Sequence, residues 1–304
     1  MSRMPHSHHH DASDLHEGVG HTHDHDSAEL ESDGADLLDL DAQVLHGYWD
    51  SALDLATAAL SERAARGERS PARVVDLGAG TGTGALGLAR RLPDAEVVAV
   101  DVSELSLARI HAKAEAAGTG DRVRTLVVDL DAGWPDLGPV DLTWASMSLH
   151  HLADPTRSLS ELRRVTRTGG LVAVAEFDEP LRFLPDDLGV GRPGFETRAL
   201  DALSVVHAEA VPTLGAPWAS ILGDAGWTVT GQHDLVIDES SPEHPLAGPY
   251  ARGWFDRLSH GLADRLDAED RLTLTTLLGD GPLSLLHRTD LHLRGVRTVT
   301  VAHT

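Results

Sequence analysis

The chain has 304 residues, 41% of them apolar, which is enough for one large α/β domain with additions. Lys and Arg number 25 against 48 Asp and Glu, and the net charge of −23 repels a polyanion over most of the surface, which argues against a nucleic-acid substrate. Cysteine is absent, which excludes disulfides and thiolate chemistry. No long apolar run and no signal-peptide pattern is present, so no membrane span is expected and the cytoplasm is the expected compartment.

Residues 1–33 are polar, acidic and rich in histidine, with His8, His9 and His10 in a row and His21, His23 and His25 alternating. Such a composition builds no packed core alone, so a disordered arm is expected. Neutral imidazoles are good ligands for divalent Ni, Zn or Cu, which makes these histidines candidate metal ligands without a fixed geometry. Residues 34–70 read as a helical cover, in which Leu45, Trp49, Ala52, Leu53 and Ala56 share one stripe. That stripe makes Trp49 a core residue. Tyr48, beside it, is either packed or within reach of a ligand.

Residues 74–90, VVDLGAGTGTGALGLAR, read as strand, glycine turn and helix. The turn lets a ligand approach the backbone, and the helix that follows aims unpaired N–H groups at it. Residues 80–85 formally fit a dinucleotide fingerprint, but Asp76 just before the glycines disfavours a pyrophosphate. It suits a ligand carrying ammonium or sulfonium charge. A second apolar run, EVVAVD, ends in Asp101, an acid at a strand tip that can accept hydrogen bonds from ribose hydroxyls. A helix capped by Ser103 is expected over residues 103–117, then a third strand over 122–128 with Asp129 at its tip. Asp129 also reads as a turn former, given Asp131, Gly133 and Pro135 after it. Residues 140–145 make a fourth strand leading into SMSLHHL. Asp154 and Pro155 start a helix that Gly169 and Gly170 end, and residues 171–177 make a fifth strand.

Taken together, DLGAGTG, VVAVDVS and SLHHLADPTRSLSELRRVTRTGGLVAVAEF resemble the class I S-adenosylmethionine-dependent methyltransferases over about residues 72–177. Within that family they resemble the small-molecule branch that includes quinone-biosynthesis enzymes. The resemblance implies a doubly wound Rossmann-like α/β sheet, with the domain running over residues 71–304, and S-adenosylmethionine as cofactor with S-adenosylhomocysteine as product. It assigns Asp76, Gly78, Gly80 and Gly82 to the methionine end, Asp101 to the ribose, and Asp129 and Leu130 to the adenine, with Ala79 and Val102 among the cofactor-binding residues. Tyr48 from the cover and Ala145 and Ser146 from the fourth strand complete the implied set.

Beyond residue 177 two insertions are expected, over about 178–215 and 244–289, with further strands over 227–237 and 291–302. If the fifth and sixth strands are parallel to the others, both insertions leave from the ligand-binding end of the sheet and wall the transferable methyl group. Phe183, Phe195, Trp218, Tyr250, Trp254 and Phe255 lie in or beside them, as pocket lining or as packing. Methyl transfer from a sulfonium is mainly a task of alignment, with a base where the acceptor carries a proton. His150, His151, Glu176 and Asp178 are the candidates for that end. Arg182, Arg192, Arg198 and Arg252 either hold a substrate carboxylate or balance the acidic surface. The function expected is methyl transfer to a small molecule, with no nucleic acid or membrane as partner and a homodimer left open. The alternatives are an inactive methyltransferase-like protein that binds metal through its histidine arm, and aminopropyl transfer on the same fold.

Overall fold

The computed structural model describes residues 21–67, 69–177, 179–210, 213–240, 244–262 and 264–304. Its strands are β1 (Arg73–Leu77), β2 (Glu96–Asp101), β3 (Val123–Val127), β4 (Val140–Ser146), β5 (Thr166–Phe177), β6 (Thr228–Ser240) and β7 (His292–His303). They form one sheet in the order β3-β2-β1-β4-β5-β7-β6. The first five strands are parallel. β7 runs antiparallel to both β5 and β6, so β6 points the same way as the parallel set. A parallel sheet covered on both faces needs apolar residues at successive positions, and neighbours Val74 and Val75 enter different cores.

The helices are α1 (His21–Val44), α2 (His46–Ala65), α3 (Thr83–Arg91), α4 (Glu104–Ala116), α5 (Pro155–Val165), α6 (Phe195–Ala210), α7 (Trp218–Asp224), α8 (Ala247–Leu262) and α9 (Ala268–Leu278). One core joins Leu53 of α2, Leu88 of α3 and Ile110 of α4 with Trp144 of the sheet. On the opposite face Leu159 of α5 and Leu222 of α7 pack with Trp218 and Trp227. The expected caps are present. The Ser103 side chain accepts from Ser106 N–H at 3.0 Å, and Asp154 accepts from Arg157 N–H at 2.9 Å with Pro155 opening α5.

Three boundaries differ from the sequence expectation. The cover is two helices, and α1 begins at His21, inside the stretch expected to be a disordered arm. Both the arm and the cover are tied to α4: Arg109 donates to Ser32 of the arm at 3.4 Å, and in the cover Arg109 pairs with Asp36 at 2.6 Å and with Asp39 at 3.3 Å, and Lys113 with Asp39 at 2.5 Å. Ser103 also donates to Glu31. The third difference is at α5, which stops at Val165, before the glycines; Gly169 at φ +72° instead turns the chain within β5, close to where its register against β4 shifts.

Both insertions leave from the carboxyl ends of strands, the first after β5 and the second after β6, as the topology rule requires. They fold onto each other as one cap. Phe195 of α6 lies 6.3 Å from Phe255 of α8, ring to ring, and Arg198 of α6 pairs with Asp270 of α9 at 2.7 Å. No helix among the described residues is long and apolar enough to cross a membrane.

Candidate active site

A cavity of about 800 Å³ opens above the carboxyl ends of β1, β2 and β4, between the sheet, α1 and the cap. Its floor is the turn after β1. Gly78 has φ +65°, and a Cβ there would lie 2.3 Å from the Ser148 Cβ, so only glycine lets the turn pass beneath the loop after β4. Gly84 is excluded from substitution for another reason. A Cβ on it would sit 2.6 Å from Asp76 Oδ2 and 2.7 Å from the Trp144 ring.

Asp76 is buried at 2% exposure, and its Oδ2 has no hydrogen-bond partner. Burial pushes its carboxyl up to about 7; the Ala85 N–H opposes this and the Asp101 charge adds to it. A carboxylate oxygen left without a partner on a cavity wall is the group an ammonium or sulfonium ligand completes. Asp101 accepts from Gly80 N–H at 2.8 Å and from Ser103 N–H at 2.9 Å, which fixes its carboxylate while each oxygen keeps a lone pair for a ligand hydroxyl. Asp129 does form the turn, accepting from Asp131 N–H at 2.9 Å, and it lines the cavity beside Leu130 and Val102. Buried orphan acid, anchored strand-tip acid and apolar flank fit S-adenosylmethionine.

Gly78, Ala79, Gly80 and Ser146 line the cavity as expected, but Tyr48 and Ala145 do not, and Gly82 lies behind it over Ile110. Side chains alternate along β4, so Trp144 and Ser146 face the cavity while Ala145 packs in the opposite core. Tyr48 is held away by Arg297, whose guanidinium lies 4.7 Å from its ring centre, and Trp49 takes the cavity wall instead.

At the other end of the cavity stand the two histidines after β4. His150 Nδ1 is 2.6 Å from Glu176 Oε2, and Glu176 Oε1 accepts from Leu149 N–H at 3.2 Å. Both side chains are buried. With Nδ1–H donated to Glu176, the neutral ring carries its lone pair on Nε2. His151 packs ring to ring on His150 at 4.2 Å. Exposed where it lines the cavity, it is pushed down to about 4 by partial loss of solvation, then by His150, Arg257 and His207. Asp178 lies outside the described residues.

The four insertion arginines are engaged elsewhere. Arg192 and Arg198 pair with Asp270, Arg252 pairs with Asp280 and Arg182 donates to Thr197, and none of them lines the cavity. The cavity arginines are Arg257 and Arg297. Arg297 binds Asp41 of α1 through both terminal nitrogens, at 2.6 and 3.2 Å, while Asp41 also accepts from Tyr250 O–H at 2.6 Å and Trp49 Nε1–H at 2.9 Å. Burial pushes the Asp41 carboxyl up, but the Arg297 charge and these hydrogen bonds hold it below the ordinary carboxylate range. A signal for Arg297 exists in the sequence: it interrupts the apolar alternation of β7 between Leu293 and Val299. Of the expected aromatics, Tyr250 and Trp254 line the cavity. Phe183, Phe195 and Phe255 form the buried core of the cap, and Trp218 packs beneath the sheet.

His8, His9 and His10 lie outside the described residues, and His21, His23 and His25 fall in the first turns of α1. Among the described residues no group of three His, Asp or Glu side chains is arranged to hold a metal ion.

A family described as a methyltransferase domain matches residues 74–170. The chain is 34% identical over 151 residues to 27-O-demethylrifamycin SV methyltransferase of Amycolatopsis mediterranei, covering 47% of this chain and 55% of that protein. It is 41% identical over 114 residues to demethylmenaquinone methyltransferase of Thermus thermophilus, covering 37% and 50%. In both cases the chain spans about half the length of the relative. Trans-aconitate 2-methyltransferase of Azoarcus sp. matches further, at 37% identity over 224 residues, covering 65% of this chain and 85% of that protein.

Proposed function

Since the chain belongs to the class I S-adenosylmethionine-dependent methyltransferases, we propose that it methylates a hydroxyl oxygen of a small, largely apolar molecule, with His150 as the base. The observation that carries this reading is the buried His150–Glu176 pair at 2.6 Å, at the end of the cavity away from the glycine turn. When bound, S-adenosylmethionine supplies a methyl carbon on positively charged sulfur.

The residues divide the remaining work. Asp76 offers its orphan carboxylate to the positive end of the cofactor, Asp101 offers its free lone pairs to the ribose, and Asp129, Leu130 and Val102 flank the adenine. Leu203, Val206 and Leu214 from the first insertion and Trp254 and Leu258 from the second give the acceptor an apolar, water-excluding wall. Glu176 fixes the His150 tautomer, so the acceptor O–H proton passes to Nε2 as the oxygen attacks. The imidazolium formed is then stabilised by the carboxylate at Nδ1. His151, held neutral at about 4, is a weak base and adds no charge against that imidazolium. The name of the rifamycin relative points to an oxygen acceptor in that protein and supports the same choice here.

The test has two parts. Isothermal titration with S-adenosylhomocysteine should give near-stoichiometric binding. Incubation with S-adenosylmethionine and a library of hydroxylated apolar molecules should give products one methyl group heavier, methylated on oxygen. Methylation confined to carbon or nitrogen would sink the oxygen assignment, and a folded protein that does not bind the homocysteine product would sink the cofactor site.

A further inference from the structure

One arginine and three histidines converge at the acceptor end of the cavity. Along α8, Tyr250, Trp254, Arg257, Leu258 and Gly261 recur at helical spacing and all line it, so Arg257 lies on the same stripe as the apolar wall. His207 of α6 and His150 and His151 of the loop after β4 line it too. Arg257 makes no hydrogen bond or ion pair among the described residues, whereas Arg297, the other cavity arginine, is saturated by Asp41. Glu176, the acid beside the histidines, is committed to His150 and Leu149. Arg257 is exposed where it lines the cavity, and in a protein of net charge −23 a guanidinium there with no carboxylate partner is a group whose partner comes with the ligand.

We propose that the acceptor bears, in addition to its reacting hydroxyl, one carboxylate that Arg257 binds, so that the substrate is an apolar hydroxy acid and Arg257 sets its orientation toward His150. The charge count selects a monoanion. With Arg297 paired to Asp41, Arg257 is the one arginine on the cavity lining without an anionic partner among the described residues, which favours a single carboxylate over a dianionic phosphate. A carboxylate also presents two coplanar oxygens to the guanidinium fork, and the neutral imidazoles can donate or accept beside it.

This inference rests on the methyltransferase reading, and its test separates the two. The protein saturated with S-adenosylhomocysteine is titrated, by calorimetry or ligand-observed NMR, with hydroxy acids and their carboxamides as matched pairs, 4-hydroxycinnamate and 3-hydroxydecanoate among them. At least one acid should bind tenfold or more tightly than its amide. That preference should fall below twofold in Arg257→Gln and be partly restored in Arg257→Lys, with circular dichroism and unfolding midpoints showing both variants folded. Acids that bind no better than amides to the wild type, including the case in which neither binds, overturn the proposal, as does a preference that survives Arg257→Gln. If S-adenosylhomocysteine itself fails to bind the wild type, the cofactor site falls first; if it binds and the acids show no preference, only the role of Arg257 falls.

Discussion

Replacing Asp76 by asparagine keeps the shape of the side chain and removes its proton chemistry. The folded, ligand-free protein holds this carboxyl at about 7, against 3.8 for an ordinary aspartate. Between those values the folded chain keeps a proton that the unfolded chain has lost, so stability falls as pH rises through the window. At about 1.36 kcal/mol per pKa unit the penalty is about 2 kcal/mol at pH 5 and levels off at about 4 kcal/mol above pH 7. Asp76→Asn has no such penalty. Its stability gain over the wild type, from urea unfolding followed by circular dichroism without ligand, should therefore be negligible near pH 4 and grow to several kcal/mol at pH 8. The same substitution removes the charge proposed to meet the cofactor, so S-adenosylhomocysteine affinity at pH 8 should drop more than tenfold while the wild type binds more tightly as pH rises through 7. Parallel stability profiles for the two proteins between pH 4 and 8 would refute the reasoning, because they would mean the acid is solvated or already paired.

Asp101→Ala should weaken S-adenosylhomocysteine at least a hundredfold by calorimetry; unchanged affinity would remove β2 from the ribose site. His150→Gln should lower turnover about a hundredfold to ten-thousandfold, measured as homocysteine product released with an acceptor from the library, while the product's own affinity stays within about threefold. Glu176→Gln should produce a smaller loss with the same unchanged affinity. Arg297→Met leaves Asp41 buried with its cation gone and should cost about 3 to 5 kcal/mol in urea unfolding. The double variant Asp41→Leu, Arg297→Met should recover most of that loss, and a single variant as stable as wild type would show that the pair is solvated.

The parallel core was legible because its evidence is local. Apolar runs ending in Asp76 and Asp101, a glycine turn and two N-caps each lie within a few residues, and each is where the sequence reading placed it. His150 and Glu176 were legible as candidates because strand tips sit at the ligand end of such a sheet, although their 2.6 Å contact needed the fold. Tyr48 stayed open between packing and ligand contact because a helix stripe cannot say which of two neighbouring aromatics will be captured by an arginine from a distant strand. The four insertion arginines stayed open between substrate binding and charge balance for a related reason. Arg192 and Arg198 find Asp270 on another element of the cap, and only the pairing pattern leaves Arg257 free to act. The start of α1 was hidden because the partners of its arm residues, Ser103 for Glu31 and Arg109 for Ser32, lie far along the chain.

The position of β7 in the sheet has a consequence for how a ribosome can build this protein. β7 is made after β6 yet lies between β5 and β6, and β6 has no other neighbour in the sheet. Until β7 emerges, β6 has nowhere to dock, and Asp41 waits for a cation 256 residues downstream. Nascent chains therefore pass through a stage in which β1 to β5 can assemble while β5 presents an open edge and the cover stays unlatched, a form exposed to edge-to-edge association. Any premature stop between β6 and β7 freezes the protein at that stage, so such chains should accumulate as aggregates or be degraded, without yielding a smaller working enzyme.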